Sequence, residues 1–99
     1  GANVYVRGEL QANFDRRYEN VERAANRALS DLQFSNIQEK KDALLANFEA
    51  RNADDVKITV RVERTSETLT TVHIKVGRVV GIGDEKLSYA IYNKIKEAL

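Results

Sequence analysis

Apolar and polar residues alternate along residues 3–14, the first clear pattern in the chain. The even-numbered positions of this run are largely apolar: Val4, Val6, Leu10, Ala12 and Phe14. Alternation of this kind is typical of a strand that buries one face and exposes the other. It predicts a single first strand, with the odd-numbered residues Tyr5, Arg7, Glu9 and Gln11 on the solvent side.

Two other segments carry apolar residues three and four positions apart, which is the spacing of an amphipathic helix. The first stripe is Tyr18, Val21, Ala25, Ala28, Leu29 and Leu32. The second stripe is Leu87, Ala90, Ile91, Ile95 and Ala98. Asp15 and Asp84 precede these segments, and we expect each to cap a helix because a carboxylate accepts the free N–H groups of a first turn.

Four further strands are predicted between the helices. Residues 34–42 are predicted to form a polar strand. Its apolar residues Phe34 and Ile37 are an odd number of positions apart, so strict alternation would place them on opposite faces. Alternation is stricter at residues 44–50, 56–63 and 71–76, and the turn sequences NADD at 52–55 and RTSET at 64–68 separate these runs. Short connections between alternating strands predict antiparallel hairpins with one dry face and one wet face.

The predicted order of elements is therefore β-α-β-β-β-β-α. Two helical stripes and a one-sided antiparallel sheet bury their apolar residues only against each other. This predicts a two-layer α+β fold, with a sheet of about five strands and both helices on one face. A chain of 99 residues has the size of one hydrophobic core, so residues 1–99 are expected to form a single domain.

Composition narrows the class of protein. The chain is 42% apolar and 31% charged, which is too apolar for a disordered segment. Its formal net charge is only +1, so no overall field steers it toward nucleic acid or an anionic membrane. The absence of cysteine excludes disulfide and thiolate chemistry, and the absence of methionine leads us to expect a processed or truncated product.

The glycines of GRVVGIGDEKL, residues 77–87, lie in front of a predicted helix, where phosphate-binding loops occur. The spacing matches neither G-x-G-x-x-G nor G-x-x-x-x-G-K-[ST]. Asp84 and Glu85 also place two negative charges where a phosphate would bind. We therefore interpret Gly81 and Gly83 as turn residues and Asp84 as a helix cap, and we expect no cofactor.

No group of residues indicates catalysis or metal binding. His73 is the single histidine, and its neighbours Val72 and Ile74 point to the dry side, so we expect a solvated imidazole. The acidic pairs at 54–55 and 84–85 lack the spacing of metal ligands. Tyr92 and Lys96 match the Tyr-x-x-x-Lys pair of short-chain dehydrogenases, but the chain is too short for a dinucleotide-binding half. We predict that the protein is not an enzyme.

The wet face of the sheet is the candidate interaction surface. It presents Lys57, Thr59, Arg61, His73 and Lys75. We expect the protein to bind a partner through this face or through a sheet edge. A small-ligand pocket between the C-terminal helix and the sheet is an alternative, which an interior of Val, Ile and Leu disfavours. Nucleic acid is not expected as a partner, because Tyr5 is the one aromatic predicted on this face.

Local sequence patterns extend over nearly the whole chain. They are YVxGEL at 5–10, ALxDL at 28–32, KKDALLANFEAR at 40–51, TxVxIxVG at 70–77, and GDE at 83–85 followed by Ser88, Ile91 and Ile95. Together they resemble a family of small bacterial lipoproteins that is catalogued only as a domain of unknown function. One departure is ADD at 53–55, where the family commonly has Asp-Gly, and it affects the geometry of that turn alone.

The resemblance implies a signal peptide and a lipid-carrying cysteine upstream of residue 1. The domain would then face the bacterial periplasm and meet the membrane only through its N-terminal lipid. The family has no established activity and no catalytic residues to transfer. The partner expected in that setting is an envelope protein or another envelope component. Neither its identity nor the oligomeric state is predicted.

Overall fold

A computed structural model describes residues 3–77 and 83–99. The strands are β1 Asn3–Val6, β2 Glu9–Phe14, β3 Ser35–Lys41, β4 Leu45–Arg51, β5 Lys57–Arg64 and β6 Thr70–Val76. The helices are α1 Tyr18–Asp31 and α2 Glu85–Glu97. The predicted α+β class, with an antiparallel sheet and two helices, is confirmed. The predicted order was wrong at its start, because the sheet has six strands and the chain begins β-β-α.

All neighbouring strands are antiparallel, in the order β1-β2-β6-β5-β4-β3. After the β1–β2 hairpin the chain passes through α1 to the opposite edge of the sheet. It then returns strand by strand until β6 pairs with β2. Among the described strands, β1 and β3 are outermost, and each pairs with a described strand on one side only.

The extra strand arises from a two-residue turn at Arg7 and Gly8. Both residues have positive φ, 55° and 76°, as in the type I′ turn that suits the twist of a hairpin. Glycine adopts this conformation without steric cost, which explains its place at position 8. Val6 consequently pairs with Glu9 across the turn.

This turn reverses the face on which the residues of β1 lie. Tyr5 pairs with the buried Leu10, and its side chain packs against the core on the helix side. Val4 and Val6 lie on the other side of the sheet and are 51% and 55% exposed. The prediction that the two valines are buried and Tyr5 is solvent-facing was therefore wrong.

The core lies between the sheet and the two helices. Its fully buried side chains include Val21, Ala25 and Ala28 of α1, Ile91 and Ile95 of α2, and Phe48, Ile58, Val60, Val62, Val72 and Ile74 of the sheet. Alanines on α1 keep this helix close to the strands and to α2, which packs beside it. Burial of a branched or aromatic side chain contributes about 1.5–3 kcal/mol, so this layer supplies most of the favourable free energy of folding.

Helix α1 begins at Tyr18 without the cap expected from Asp15. Its N-cap residue is Arg17, which makes no capping hydrogen bond, and Asp15 is exposed. Tertiary contacts hold this end of the helix instead. The Tyr18 hydroxyl donates to the Asp42 carbonyl at 2.9 Å, and Thr70 Oγ1 donates to the Arg16 carbonyl at 2.8 Å.

Helix α2 has Asp84 as its N-cap residue. Asp84 Oδ1 accepts a hydrogen bond from the Leu87 N–H at 2.9 Å, which satisfies one of the free donors of the first turn. Gly83 packs against the β1–β2 turn, where an added Cβ would lie 2.7 Å from both the Gly8 carbonyl oxygen and the Tyr5 hydroxyl. Position 83 thus requires glycine for close approach. The turn assigned to Gly81 lies outside the described residues.

The polar strand predicted near residues 34–42 is β3. Its register with β4 shifts between Ser35 and Gln38, and Asn36 has φ 53°. Between these two pairs β3 has one residue more than β4, as in a β-bulge. It explains why Phe34 and Ile37 both pack against the core although their parity differs.

Ile58→Ala should lower the free energy of unfolding by about 2–5 kcal/mol, because Ile58 is fully buried and the smaller side chain leaves a cavity. The matched control is Leu44→Ala, since Leu44 is 62% exposed and its loss should cost less than about 0.5 kcal/mol. Urea titration of both variants measures the difference. Equal losses would contradict this assignment of the dry face.

Candidate functional site

The sheet face opposite the helices, called here the open face, carries all five residues of the predicted interaction surface. Thr59 of β5 lies opposite Lys75 of β6, and Arg61 lies opposite His73. Lys57, at the start of β5, shares their side of the strand. Neither α1 nor α2 covers this surface, because both helices pack on the side that holds the core.

Two rows of side chains cross the open face from edge to edge. One row is Val6, Glu9, Lys75, Thr59, Glu49 and Gln38, and the other is Val4, Gln11, His73, Arg61, Asn47 and Lys40. Acidic and basic groups are interspersed in both rows, while the valines lie together at the β1 end. The face is therefore mixed in charge over most of its width and apolar at one side.

His73 is less solvated than the sequence analysis predicted. Its side chain is 13% exposed, with Nδ1 3.1 Å from Glu9 Oε1 and Nε2 3.4 Å from Glu63 Oε1. A neutral imidazole donates to one of these carboxylates and an imidazolium donates to both. Within the described residues its hydrogen-bond partners are carboxylates rather than a hydroxyl, so the contacts link three strands and do not form a nucleophile–base pair.

Among the described residues, two cations of the predicted interaction surface stay available for a partner. Lys57 Nζ lies 3.4 Å from Glu49 Oε1, but Arg61 and Lys75 form no ion pair within 4 Å among the described residues. Lys75 lines a groove of about 340 Å³ together with Val4 and Val6. Apolar contact and a free positive charge thus occur side by side. The valines were missed from the sequence because their exposure depends on the turn at residues 7 and 8.

The two edges of the sheet differ in how they are protected. β3 carries Glu39, Lys40 and Lys41 and the irregularity at Asn36, all features that discourage another strand from pairing. β1 has the sequence NVYV, with no charge and no proline. On its outer side β1 pairs with no other described strand, so its composition does not discourage an added strand there.

A pair of carboxyl groups, Glu22 and Glu39, lies between α1 and β3. Glu22 is 8% exposed and lies 3.4 Å from Lys41 Nζ. Glu39 Oε2 is buried and accepts no hydrogen bond from an N–H or O–H of the described residues. Desolvation, the hydrogen bond to Glu22 and the charge of Glu22 raise the pKa of Glu39 to about 7, against the opposing effect of Lys41. Glu39 therefore keeps its proton at a higher pH than an ordinary glutamate does.

Sequence analysis did not identify this carboxyl pair, although one signal was present. Glu22 follows Tyr18 by four positions and so falls within the buried stripe of α1. Its partner on β3 becomes evident only when the helix packs on the sheet. The pair lies beneath a helix rather than in a cleft, and we interpret it as part of the packing.

The described residues also bear on three other possibilities: a metal site, a membrane-spanning helix and a small-ligand pocket. Within residues 3–77 and 83–99, no three His, Asp or Glu side chains come together as metal ligands. Neither helix in this part of the chain is long and apolar enough to cross a membrane. Ile91 and Ile95 of α2 are fully buried and fill the space where the alternative small-ligand pocket would lie.

Comparison with family models gives one match, described as "Protein of unknown function (DUF3568)", over residues 1–98. A search of curated proteins returned no match. The family match confirms the resemblance to a domain of unknown function. The description assigns no activity, so function has to be argued from the surface geometry.

The stability of wild type relative to Glu39→Gln should depend on pH. The folded-state pKa of Glu39, about 7, exceeds the ordinary value of 4.5, so the folded chain binds this proton more tightly than the unfolded chain. The stabilisation that comes from protonated Glu39 is complete below about pH 4.5 and is lost as the pH rises through about 7. Glutamine imitates the protonated carboxyl at every pH.

Relative to wild type, the free energy of unfolding of Glu39→Gln should therefore rise by about 1–2 kcal/mol between pH 4.5 and pH 8. This range allows for the partial exposure of Glu39. Urea unfolding of both proteins across this range measures the change. A difference in unfolding free energy that stays constant with pH would show that Glu39 does not hold the proton.

Proposed function

We propose that this chain, which belongs to the DUF3568 family, is a non-enzymatic binding module of the bacterial cell envelope. Its partner would be another protein, held on the open face and along β1. One observation carries the proposal: among the described residues, a sheet face that neither helix covers ends at the outermost strand β1, which has no charge and carries two exposed valines. Such an edge favours pairing with an extended segment.

The backbone of β1 supplies the binding strength in this proposal. Alternate residues of an outermost antiparallel strand direct their N–H and C=O groups away from the sheet. An added strand satisfies these groups with main-chain hydrogen bonds, which do not depend on the partner's side chains. Side-chain contacts on the open face would then decide which segment binds.

The open face indicates the chemistry of that segment. Val4 and Val6 pack against apolar side chains at alternate positions of the partner strand. Lys75, which lines the same groove, favours an acidic residue next to them, and Arg61 provides a second positive charge further across the face. We therefore propose a partner segment whose side chains on the open-face side are apolar beside Val4 and Val6 and include an acidic residue near Lys75.

The location rests on the sequence resemblance to lipoproteins. A lipid-carrying cysteine upstream of residue 1 would hold the domain at a membrane while the folded part remains in water. We propose that the domain faces the periplasm in this way. Fractionation of the full-length protein with membranes, and its release when that cysteine is replaced, would support the location; a cytosolic full-length protein without a signal sequence would contradict it.

In-cell photocrosslinking tests the binding surface. A photoreactive benzoylphenylalanine at Val6 or Gln11 of the full-length protein should form a covalent adduct of defined mass, because both positions lie on the open face beside β1. Benzoylphenylalanine in place of Glu67, in the exposed turn between β5 and β6, should form no such adduct. Lys57→Glu with Arg61→Glu should reduce the Val6 adduct by about fivefold or more, as reversed charges at an interface usually do.

Circular dichroism of the doubly substituted protein should match wild type, since all the substituted side chains are outside the core. Adducts of equal yield from Val6 and Glu67, or adducts unaffected by charge reversal, would overturn the proposed surface. Turnover of a substrate that His73→Ala abolishes would overturn the non-enzymatic proposal itself.

A further inference from the structure

A groove of about 450 Å³ runs along α1 beside the residues that follow α2, on the side of the molecule away from the open face. Arg16, Arg23 and Arg27 line it, and Ala24, Ala98 and Leu99 form its apolar part. No acidic side chain of the described residues is among those lining it. The groove is therefore a concentrated positive surface with an apolar floor.

The positions of these residues follow the helical repeat. Asn20, Arg23 and Arg27 are three and four residues apart, so their side chains lie on one face of α1 over two turns, about 10 Å. Arg16 extends the line beyond the start of the helix. Arg23 and Arg27 form a like-charge pair at i,i+4, which is unfavourable unless an anion lies nearby.

Little within the described chain compensates these charges. Arg23 Nη2 donates to Asn20 Oδ1 at 2.5 Å, and Arg16 Nη1 reaches only the Asp15 carbonyl oxygen at 3.5 Å. Arg27 lies 3.6 Å from Asp31, in a solvent-exposed pair of the kind that contributes little. Arg16 and Arg23 therefore have no carboxylate within 4 Å among the described residues.

We propose that this groove binds an acidic helical segment of a partner protein. A guanidinium binds a carboxylate through two parallel hydrogen bonds, and glutamates at helical spacing match the repeat of Arg23 and Arg27. The alanine floor lets the backbone of a second helix approach α1 closely, as in helix-in-groove recognition. A bilayer is a less suitable occupant, because the apolar residues are recessed between cationic side chains and do not project from the surface.

The site is separate from the open face, and the two proposals are independent. If both hold, one domain binds an extended segment on one side and an acidic helix on the other. Lys86→Glu, at an exposed position of α2 that lines neither groove, changes the net charge by the same amount as Arg23→Glu. It is therefore a matched control that leaves the groove intact.

The probe is a synthetic alanine-based helical peptide with glutamates at i, i+4 and i+7, and its control has glutamine at those positions. We expect the glutamate peptide to shift the amide resonances of α1 and residues 98–99 in a saturable way, with an affinity that falls as salt is added. The glutamine peptide should bind at least about tenfold more weakly. Arg23→Glu with Arg27→Glu should also weaken binding by about tenfold or more, and Arg23→Lys with Arg27→Lys by less. Arg23→Glu alone should weaken binding measurably, whereas its charge-matched control Lys86→Glu should not.

Circular dichroism should show that both double variants keep the wild-type fold, because the substituted arginines are exposed. Equal binding of the two peptides, or a loss in Lys86→Glu equal to that in Arg23→Glu, would overturn the proposal. Vesicles of phosphatidylcholine with phosphatidylglycerol form a third arm. Vesicle binding that requires Arg23 and Arg27, without binding of the glutamate peptide, would reassign the groove to anionic lipid and would also overturn it.

Discussion

The apolar side of the six-stranded sheet has to be kept from water, and α1 and α2 are the helices that cover it. Both helices are needed on that side, where Val21 and Ile91 are fully buried against residues such as Val60 and Ile74. The opposite side therefore has to tolerate solvent, and its strands carry polar residues at alternate positions. The open face is a direct consequence of this one-sided burial.

Two departures from that pattern are informative. On the wet side, Val4 and Val6 expose apolar surface at the edge strand, which has no charged residue to discourage pairing. On the dry side, Glu22 and Glu39 bring carboxyl groups into the packing between α1 and β3. The exposure of the two valines contributes nothing evident to folding and is the physical basis of the proposed binding surface. The second departure raises the pKa of Glu39 and so makes the stability of the fold depend on pH.

The limits of sequence analysis follow from these particular residues. Strands β4 to β6 were predictable because strict alternation and short turns fix both the strand and its buried face, and this placed Arg61 and His73 correctly on the open face. At β1 the same parity rule failed. In the two-residue hairpin Val6 pairs with Glu9, and paired residues lie on the same face of a sheet. An even-numbered residue of β1 therefore shares a face with an odd-numbered residue of β2. The even-numbered apolar residues, which look continuous in the sequence, lie on the open face in β1 and on the buried face in β2. The Glu22–Glu39 pair needed tertiary packing, which alternation does not encode.

The chain has no cysteine, so a single introduced thiol reports the exposure of its own position. The most direct test of the one-sided sheet and its reversed first strand is the rate of thiol labelling in the folded variants V4C, V6C and V60C. We expect V4C and V6C to react with iodoacetamide at nearly the rate of the unfolded chain, and V60C, at a fully buried position, to react only as fast as the protein opens. Slow labelling of V4C and V6C, at the rate of V60C, would show that residues 3–14 form one continuous strand with buried valines and would contradict both the fold at this edge and the binding surface that depends on it.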